Sequence, residues 1–245
     1  MAQQVLLYDT TLRDGMQGEG MSLSVDEKVR VAHALDDLGL HFIEAGFPSS
    51  NPKEEALFEL LSREAFDADI VAFGMTRRRE VAADADPALR TLADCFAPVC
   101  CLVGKTWALH LEKVTRVDPE ENLAMIADSI AFLRDQGKRV VYDAEHFFDA
   151  LRDDADYALR CLRAAVEAGA ETVVLCDTNG ATLPDEVARA TAAVVDELGG
   201  SATIGIHTTT TRAAAWPTPS PQLAPAPARC RAPSTATASA AATRT

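Results

Sequence analysis

Carboxylates, an arginine and a histidine recur directly after short apolar runs in this 245-residue chain. Arg13 and Asp14 follow the first run, Glu44 and Glu145 end or follow later runs, and His207 ends the last one. A carboxylate and an imidazole can bind one divalent cation together, because both are common ligands of transition metals. An arginine beside such a cation suits a substrate that carries a carboxylate or develops an oxyanion. These residue types therefore predict metal-assisted chemistry on a small acid.

Each of these residues also has a structural explanation when it is considered alone. An Asp after a strand is commonly a helix cap, and a single His at a strand end is more often structural than a ligand. Glu145 could be a surface residue of an acidic chain, and Cys176 is interpreted as a small buried residue rather than a nucleophile. The chemical interpretation thus depends on elements that bring these side chains to one place.

The elements follow from alternating patterns between residues 5 and 207. Short apolar, β-branched runs alternate with amphipathic helical patterns, which is typical of βα units around a parallel sheet. We predict strands near Val5–Asp9, Phe42–Ala45, Ile70–Phe73, Pro98–Val103, Arg139–Asp143, Thr172–Cys176 and Thr203–His207. The predicted helices include Ser24–Leu38, Asn51–Ser62, Pro119–Gln136, Asp153–Ala168 and Leu183–Leu198. Gly39, Gly137, Gly169 and Gly199 follow helix ends, where left-handed caps are expected.

Seven βα strands with no sign of a reversal in strand order favour an α/β fold of the (βα)8 or TIM-barrel class, incomplete because only strands 1–7 are predicted. A doubly wound open sheet is the alternative. No Gly-x-Gly-x-x-Gly follows the first strand, which argues against dinucleotide binding. In a βα barrel the active site lies at the carboxyl ends of the strands, where the polar residues described above would meet.

Composition narrows the classes of partner. The net charge of −14 argues against a nucleic-acid-binding surface. No apolar run reaches the roughly 18 residues that a membrane helix needs. The N-terminus has no basic region followed by an apolar stretch, so we expect a cytoplasmic protein. Its six cysteines include no Cys-x-x-Cys pair and are expected to be reduced.

The segment Asp-Thr-Thr-Leu-Arg-Asp-Gly-x-Gln, at residues 9–17, is a long and specific motif. It resembles the metal-dependent barrel family of 2-isopropylmalate, homocitrate and citramalate synthases and 3-hydroxy-3-methylglutaryl-CoA lyase. The later segments IEAGFPSSNPKE, YDAEHFFDA and VVLCDTNGATLPDEV agree, so the similarity runs from about residue 4 to His207. In detail, GKTWALHLEKV and CDTNG resemble the citramalate synthase branch of that family.

The resemblance implies an acyltransferase that condenses acetyl-CoA with a 2-oxo acid, most directly pyruvate, in branched-chain amino-acid biosynthesis. A divalent ion of zinc, manganese or magnesium would act as Lewis acid and template. 2-Oxoisovalerate and 2-oxoglutarate are the alternative acids within the family, and a lyase that runs the reverse cleavage is a weaker one. A homodimer is expected for an intact member. A general binding protein for small acids is a further, weaker possibility.

The resemblance also assigns roles to residues of this chain. Asp14 and His207 would be metal ligands, and Arg13 would stabilise charge that develops on the substrate oxygen. Glu145 would be a catalytic residue that exchanges a proton with the substrate. The residues expected around the substrate are Gln17, Glu44 and Thr178. Asp9 is interpreted as structural, bracing the turn that presents Arg13.

The seventh strand departs from the family pattern, which is His-x-His followed by Asn-Asp. Residues i and i+2 of a strand face the same way, so both imidazoles would reach one metal ion. Here the second position is Thr209, whose neutral hydroxyl is a poor replacement for an imidazole. The family's later Asn-Gly-x-Gly-Glu-Arg-x-Gly-Asn segment is also absent. A catalytically inactive family member is therefore an alternative to an active enzyme.

Residues 208–245 differ from the rest of the chain in composition. They contain 12 Ala, 9 Thr and 6 Pro but no acidic residue and no glycine, whereas residues 1–207 contain all 37 acidic residues. Such a segment has too few large apolar side chains to offset the entropy of ordering. We therefore divide the chain into a partial TIM-barrel domain at 1–207 and a disordered, low-complexity tail at 208–245.

A frameshift near codon 208 explains the composition of the tail. The run Thr-Thr-Thr-Thr after His207 can be encoded as ACC ACA ACG ACx, and one added C gives ACC CAC AAC GAC, which encodes Thr-His-Asn-Asp. One frame away, residues 228–245 permit Gly-Tyr-Gly-Glu-Arg-Cys-Gly-Asn within a longer stretch that matches the family's strand eight and its loop. The missing second histidine and the missing segment both reappear. We expect the 245-residue chain as written to fold poorly and to have little activity.

Sequencing the source DNA across the codons for residues 200–245 tests the frameshift hypothesis. We expect one additional base that restores His-Thr-His-Asn-Asp after residue 206, because the family motif is recovered by a single insertion. An unchanged reading frame would contradict the hypothesis. A cooperative thermal transition of the purified 245-residue chain with bound metal would separately contradict the expectation of poor folding.

Overall fold

The computed structural model describes residues 5–209 and, for the backbone alone, two later strand segments. All seven predicted strands are confirmed. Their bounds are β1 Val5–Asp9, β2 Phe42–Gly46, β3 Asp69–Met75, β4 Val99–Lys105, β5 Arg139–Glu145, β6 Thr172–Asp177 and β7 Thr203–Thr208. The later segments are β8 Ala228–Ala232 and β9 Ala242–Thr243. Within the range 5–209, no helix is both long and apolar enough to cross a membrane.

The predicted helices are confirmed with small shifts at their ends, and three further helices were not predicted. The bounds are α1 Val25–Asp37, α2 Pro52–Leu61, α3 Pro87–Asp94, α4 Ala108–His110, α5 Pro119–Asp135, α6 Phe147–Asp153, α7 Ala155–Glu167 and α8 Pro184–Leu198. The unpredicted ones are α3, α4 and α6. Ser24 begins α1 with a capping box, because its hydroxyl accepts the Glu27 N–H while Glu27 accepts the Ser24 N–H. Gly39 and Gly169 follow helix ends with φ of +75° and +101°, as predicted.

The sheet is parallel from β1 to β8 and closes on itself. β1 pairs with β2, each strand then pairs with the next, and β8 lies between β7 and β1. This arrangement is of the TIM-barrel class that the strand pattern predicts, with one strand more than the seven predicted. β9 adds a short antiparallel pairing to β1 at Val5 and Leu6.

The structure differs from the sequence prediction in the tail, where no eighth strand was expected. Residues 228–232 pair in parallel with both β7 and β1. The physical reason is that the facing edges of β1 and β7 carry N–H and C=O groups that any extended backbone can satisfy, whatever its side chains. The rest of the predicted tail, apart from residues 208, 209, 242 and 243, lies outside the described residues.

Side chains alternate between two cores. Val141 and Val174 pack inside the barrel with Tyr8 and Phe42, whereas Ile204 packs in the layer between the strands and the helices. Alternate residues of a strand face the same side. Asp143 and Glu145, two and four residues after Val141, therefore face the interior with it. By the same rule, His207, which lies three residues after Ile204, faces the interior rather than the helices. The interior at the carboxyl ends of β5, β6 and β7 therefore receives Asp143, Glu145, Cys176 and His207.

The opposite rim, at the amino ends of the strands, is closed by ion pairs and hydrogen bonds. The Arg139 guanidinium donates to Glu171 at 2.8 Å and is ion-paired with Asp69, so it connects the beginnings of β3, β5 and β6. The ammonium group of Lys138 donates to the backbone carbonyl oxygens of Cys95 and Ala97. These contacts join neighbouring βα units at a distance from the polar strand ends.

Gly104 offers a test of the packing that supports the end of β4. A Cβ atom at this position would lie 2.5 Å from Cε2 and the hydroxyl oxygen of Tyr142, a fully buried ring. We expect Gly104→Ala to lower the free energy of unfolding by about 1–3 kcal/mol, because the fully buried Tyr142 ring would have to shift to admit the methyl group. Urea unfolding followed by circular dichroism would measure it.

Gly137→Ala is the matched control, because its φ is +81° but nothing lies within 4 Å of the added methyl group. Gly137→Ala is expected to lower the free energy of unfolding by about 1–2 kcal/mol, from backbone strain alone. If Gly104→Ala left stability unchanged, the packing argument for Tyr142 would be wrong.

Candidate active site at the carboxyl ends of the strands

A tight turn after β1 presents Arg13 and Asp14 to the barrel interior. The Thr10 carbonyl oxygen accepts the backbone N–H groups of Arg13 at 3.2 Å, Asp14 at 2.8 Å and Gly15 at 3.1 Å. The Asp9 carboxylate accepts the N–H and the hydroxyl of Thr11 at 2.8 and 2.9 Å. Asp9 thus braces the turn, as the sequence analysis expected.

Burial raises the pKa of Asp9, because a charged carboxylate is less stable away from water. The hydrogen bonds from Thr11 act in the opposite direction, and repulsion from Glu44 adds to the increase. Asp9 is only 8% exposed. The carboxyl groups of Asp9 and Glu44 therefore lie close together beside the turn after β1. The guanidinium group of Arg13 lies next to Glu44.

Several interactions hold Arg13, among them two ion pairs and a ring contact with described residues. Its Nε donates to Glu44 Oε1 at 2.6 Å, and its Nη1 donates to Asp14 Oδ1 at 3.1 Å. The guanidinium carbon lies 4.0 Å from the centroid of the Phe73 ring, a cation–π contact. Glu44 has no exposed surface and also accepts the Tyr8 hydroxyl at 2.6 Å. The Arg13 side chain, 14% exposed, is fixed in orientation while it remains accessible to a ligand.

Asp14 and His207 converge, as the sequence analysis expected for two metal ligands. Asp14 Oδ2 lies 3.6 Å from His207 Nε2, and the two side chains are 27% and 11% exposed. Asp143 and Cys176 are buried, and each offers a ligand atom within 4.8 Å of a His207 ring nitrogen and of the other. His207 therefore lies between Asp14 on one side and an Asp–Cys pair on the other.

The chemistry and spacing of these donors fit a divalent cation. Ligands bound at about 2.0–2.2 Å to one tetrahedral or octahedral ion lie about 3–3.5 Å apart. The separation of 3.6 Å between Asp14 and His207 is close to that value. A carboxylate with an imidazole suits zinc or manganese, and a thiolate from Cys176 would favour zinc. Thr209, which directly follows β7, offers only a hydroxyl, and its backbone N–H donates to the Asp177 carbonyl oxygen at 3.3 Å.

Glu145 belongs to a second polar group, at the ends of β4 and β5. It lies directly opposite Lys105 in the strand register and forms an ion pair with the Lys105 ammonium group. His110 Nδ1 lies 3.8 Å from Glu145 Oε2. Burial lowers the pKa of His110, and the nearby His146 lowers it further, while Glu145 opposes the decrease. The carboxylate of Glu145 is thus flanked by a cation and an imidazole.

Thr178 joins the ends of β5 and β6. Its hydroxyl accepts the backbone N–H of His146 at 2.9 Å, and His146 has an unusual positive φ of 55°. The Asp149 carboxylate accepts the Asn179 amide at 2.9 Å and lies 3.4 Å from His146 Nδ1. These contacts hold the segment between β5 and α6 in a conformation that non-glycine residues adopt rarely.

The structure brings most of the predicted site residues to one rim in two adjoining groups. Arg13, Asp14, Glu44 and His207 form the first. The second contains Glu145 and, through His146, Thr178. Gln17 is exposed at the end of a 3-10 helix, Gly15–Gln17, and among the described residues no hydrogen bond joins its side chain to either group.

Sequence reasoning missed several residues that complete these groups. The residues in question are Tyr8, Phe73, Lys105, His110 and Cys176. Period-two counting along the strands was a usable signal for Cys176, since Val174 faces the interior. The expectation that Cys176 is a small buried residue is correct as to burial, but the residue also lies beside His207.

The fold and the rim define a class of protein: a βα barrel whose carboxyl-end rim gathers a possible metal-ligand set and an oriented arginine. The chain belongs to the HMGL-like family, whose model matches residues 4–216. A structural comparison agrees with the fold, because HMG-CoA lyase from Bacillus subtilis superposes with a TM-score of 0.71 at 16% identity. That comparison covers 99% of this chain and 83% of the lyase.

Two relatives indicate the branch of the family. The (R)-citramalate synthase of Geobacter sulfurreducens is 47% identical over 205 residues, which are 83% of this chain and 38% of that protein. The probable 2-isopropylmalate synthase of Methanopyrus kandleri is 36% identical over 215 residues, 88% of this chain and 41% of that protein. The chain thus spans about two fifths of the length of these relatives.

Glu44→Gln tests whether the buried ion pair orients Arg13. The substitution keeps the shape but removes the anion, while Asp14 still contacts the guanidinium. Removing one partner of a buried ion pair costs about 3–5 kcal/mol, so we expect the free energy of unfolding to fall by about 3 kcal/mol. Urea unfolding would measure the change.

The matched control is Glu59→Gln, because Glu59 and Arg63 form an exposed pair one helical turn apart, with 66% and 63% of their side chains exposed. Its expected loss is about 0.3–0.5 kcal/mol. If both variants lowered the free energy of unfolding equally, burial of Glu44 would not strengthen its ion pair with Arg13.

Proposed function

We propose that this chain carries the catalytic rim of an enzyme that condenses acetyl-CoA with pyruvate to form citramalate, a step in branched-chain amino-acid biosynthesis. The observation that supports this proposal most directly is the convergence of Arg13, Asp14 and His207 on the rim of a barrel of the HMGL-like family. The higher identity to a citramalate synthase than to a 2-isopropylmalate synthase, 47% against 36%, supports pyruvate as the acid.

Asp14 and His207 would hold a divalent cation, with Asp143 and Cys176 as neighbouring donors. When bound, such an ion would polarise the keto group of the 2-oxo acid and orient its carboxylate. Zinc, manganese and magnesium all remain candidates, because the donor set combines carboxylate oxygens with an imidazole and a thiol.

Different side chains at the rim would then carry out the proton transfer and stabilise the developing charge. The carboxylate of Glu145 would accept a proton from the methyl group of the acetyl thioester. The resulting enolate carbon forms a bond to the keto carbon, and the electron pair of the C=O bond moves to the keto oxygen. Arg13 would stabilise that oxygen, because its guanidinium is already oriented by Glu44, until the oxygen takes up the proton that Glu145 removed from the methyl group. Water then hydrolyses the thioester and releases the thiol.

The predicted substrate-binding residues would act around this centre. Glu44 would position Arg13 and limit the depth of the pocket, and Thr178 and Gln17 would contact the acid. Gln17 would do so only after its exposed turn moves toward the rim.

A homodimer, as the family resemblance suggests, would be tested by sedimentation of the purified chain.

An inactive or weakly active protein is the second candidate. Thr209 occupies the position at which the family pattern has a second histidine, and a metal ion held by Asp14 and His207 would bind more weakly as a result. The two candidates differ in the metal content of the purified chain and in thiol release from acetyl-CoA.

Thr209→His separates the candidates. Residue 209 follows β7 in the same alternation as His207, so an imidazole there would face the same cation. We expect the affinity for zinc or manganese to rise by at least about 10-fold, since losing even a group that hydrogen-bonds to a metal ligand costs about 10- to 100-fold, and thiol release with pyruvate to increase with it. Equilibrium dialysis with metal analysis, and release of free thiol from acetyl-CoA, would measure the two effects.

Thr208→His is the control, because position 208 faces the opposite side of the strand. Pyruvate, 2-oxoisovalerate and 2-oxoglutarate are supplied in turn, and pyruvate is expected to give the fastest release. Thiol release that depends on none of these acids, in both the parent chain and Thr209→His, would sink the proposed function.

A further inference from the structure

Three side chains of metal-binding type, each from a different strand, meet inside the barrel. Asp143 on β5, Cys176 on β6 and His207 on β7 each bring one donor atom within 4.8 Å of the other two. Each residue lies one or two positions before the end of its strand. Cys176 and His207 are direct neighbours in the register of β6 and β7, so the hydrogen bonding of the sheet fixes their separation. The group combines a carboxylate oxygen, a sulfur and an imidazole nitrogen, all of which bind transition metals.

The surroundings of these donors are largely apolar and shielded from water. Asp143 and Cys176 are only 3% and 6% exposed, and the His207 side chain is 11% exposed. Cys176 belongs to the apolar cluster inside the barrel, together with Val141 and Val174. A carboxylate and a thiolate are both unfavourable in such surroundings unless positive charge compensates them. A divalent cation bound between the two would compensate both.

Small rotations of the three side chains would give the geometry of a metal centre. Oxygen, nitrogen and sulfur ligands of one tetrahedral zinc ion, bound at about 2.0–2.3 Å, lie about 3.3–3.5 Å from one another. The donors therefore need to approach by at most about 1.5 Å from the upper limit of 4.8 Å. The Cys176 thiol lies 3.7 Å from the Val174 carbonyl oxygen, a weak hydrogen bond that a metal–sulfur bond would replace at little cost.

We propose that Asp143, Cys176 and His207 form a zinc site inside the barrel. Cys176 binds as the thiolate, and its proton passes to the solvent when the metal enters. The sulfur ligand makes the site selective for zinc, because magnesium and manganese prefer oxygen donors. Three protein ligands leave the fourth tetrahedral position for water or for an oxygen of a substrate, as in catalytic zinc centres.

This zinc site shares His207 with the proposed function and differs from it in the other ligands. Asp14 is 27% exposed at the rim, and its carboxylate forms an ion pair with Arg13 at 3.1 Å. A cation held by Asp14 and His207 would have two protein ligands, and Thr209 offers only a hydroxyl as a third. The interior group supplies three ligands without Asp14. The zinc site therefore goes beyond the proposed function, because it forms whether or not the chain catalyses a reaction.

Cobalt(II) is the probe that tests the site. It takes the place of zinc in tetrahedral centres, and a cobalt–thiolate bond gives an intense charge-transfer band in the near ultraviolet. The full 245-residue chain is titrated with cobalt chloride in the presence of a phosphine reductant that keeps its cysteines reduced. We expect the parent chain to show the band and Cys176→Ser to lack it. Zinc is expected to remove the band by displacing cobalt, whereas magnesium is expected to leave it.

Zinc affinity, measured by competition with a chromophoric chelator, separates the ligands from their neighbours. We expect Cys176→Ser and Asp143→Asn each to bind zinc at least about 10-fold more weakly, because even the loss of a group that supports a metal ligand costs about 10- to 100-fold. Asp14→Asn is expected to keep the cobalt–thiolate band, since Asp14 is not one of the three donors.

Cys101→Ser is the matched control. Cys101 has no exposed surface and belongs to the same interior cluster, but among the described residues the donor group contains Cys176 and not Cys101. We expect Cys101→Ser to keep both the band and the zinc affinity of the parent chain. Melting temperatures measured by circular dichroism without metal would establish that the variants fold as the parent chain does.

The parent chain alone can refute the zinc site, even if a variant does not fold. A parent chain that binds no cobalt, or binds it without the thiolate band, would overturn the assignment. A band that persists in Cys176→Ser, or that is lost in a folded Asp14→Asn, would also overturn it. If the band is present and no 2-oxo acid releases coenzyme A, the zinc site stands and the proposed function fails. Release of coenzyme A by a chain whose bound cobalt shows no band would have the opposite meaning.

Discussion

The alternation of side chains along parallel strands determines which residues of this protein can meet. Every strand from β1 to β7 has the same direction, so all seven carboxyl ends lie on one rim. Strand register then sets the neighbours: Lys105 lies directly opposite Glu145, and Cys176 directly opposite His207. A shift of one residue in any of these registers would turn the polar group toward the helices, where the layer is packed with apolar side chains.

That constraint creates an electrostatic problem inside the barrel, because it places carboxylates where water is scarce. Glu44 has no exposed surface, and an isolated charge there would be strongly unfavourable. The Arg13 guanidinium and the Tyr8 hydroxyl, each 2.6 Å from a Glu44 oxygen, compensate for the lost hydration. The same contact fixes Arg13 at the angle from which it reaches Asp14 and Phe73. Stability and the orientation of the candidate catalytic arginine therefore depend on one interaction.

The seven strands and the longer helices could be predicted because their side-chain patterns reflect burial, which is a local property. Short helices such as α3 and α6 were missed, since seven or eight residues give too little periodicity to separate them from a loop. The convergence of Asp14 and His207 followed from the fold class together with the motif. The approach of Cys176 to His207 did not, because it depends on the register of two strands that sequence spacing alone leaves open. The pairing of residues 228–232 was unpredictable for another reason: backbone hydrogen bonds do not depend on side-chain pattern.

The two rims of the barrel use charge in different ways, and the difference marks where function is expected. At the amino ends, the charge of Arg139 is shared between Asp69 and Glu171, and Lys138 is bound by carbonyl oxygens. Those cations join strands and helices and leave little charge for a ligand. At the carboxyl ends, Arg79 contacts a carbonyl group instead of an acid, and its side chain remains exposed. The ion pairs Arg13–Glu44 and Lys105–Glu145 at the same rim instead orient side chains where the polar residues converge, so function is expected at that rim rather than at the amino ends.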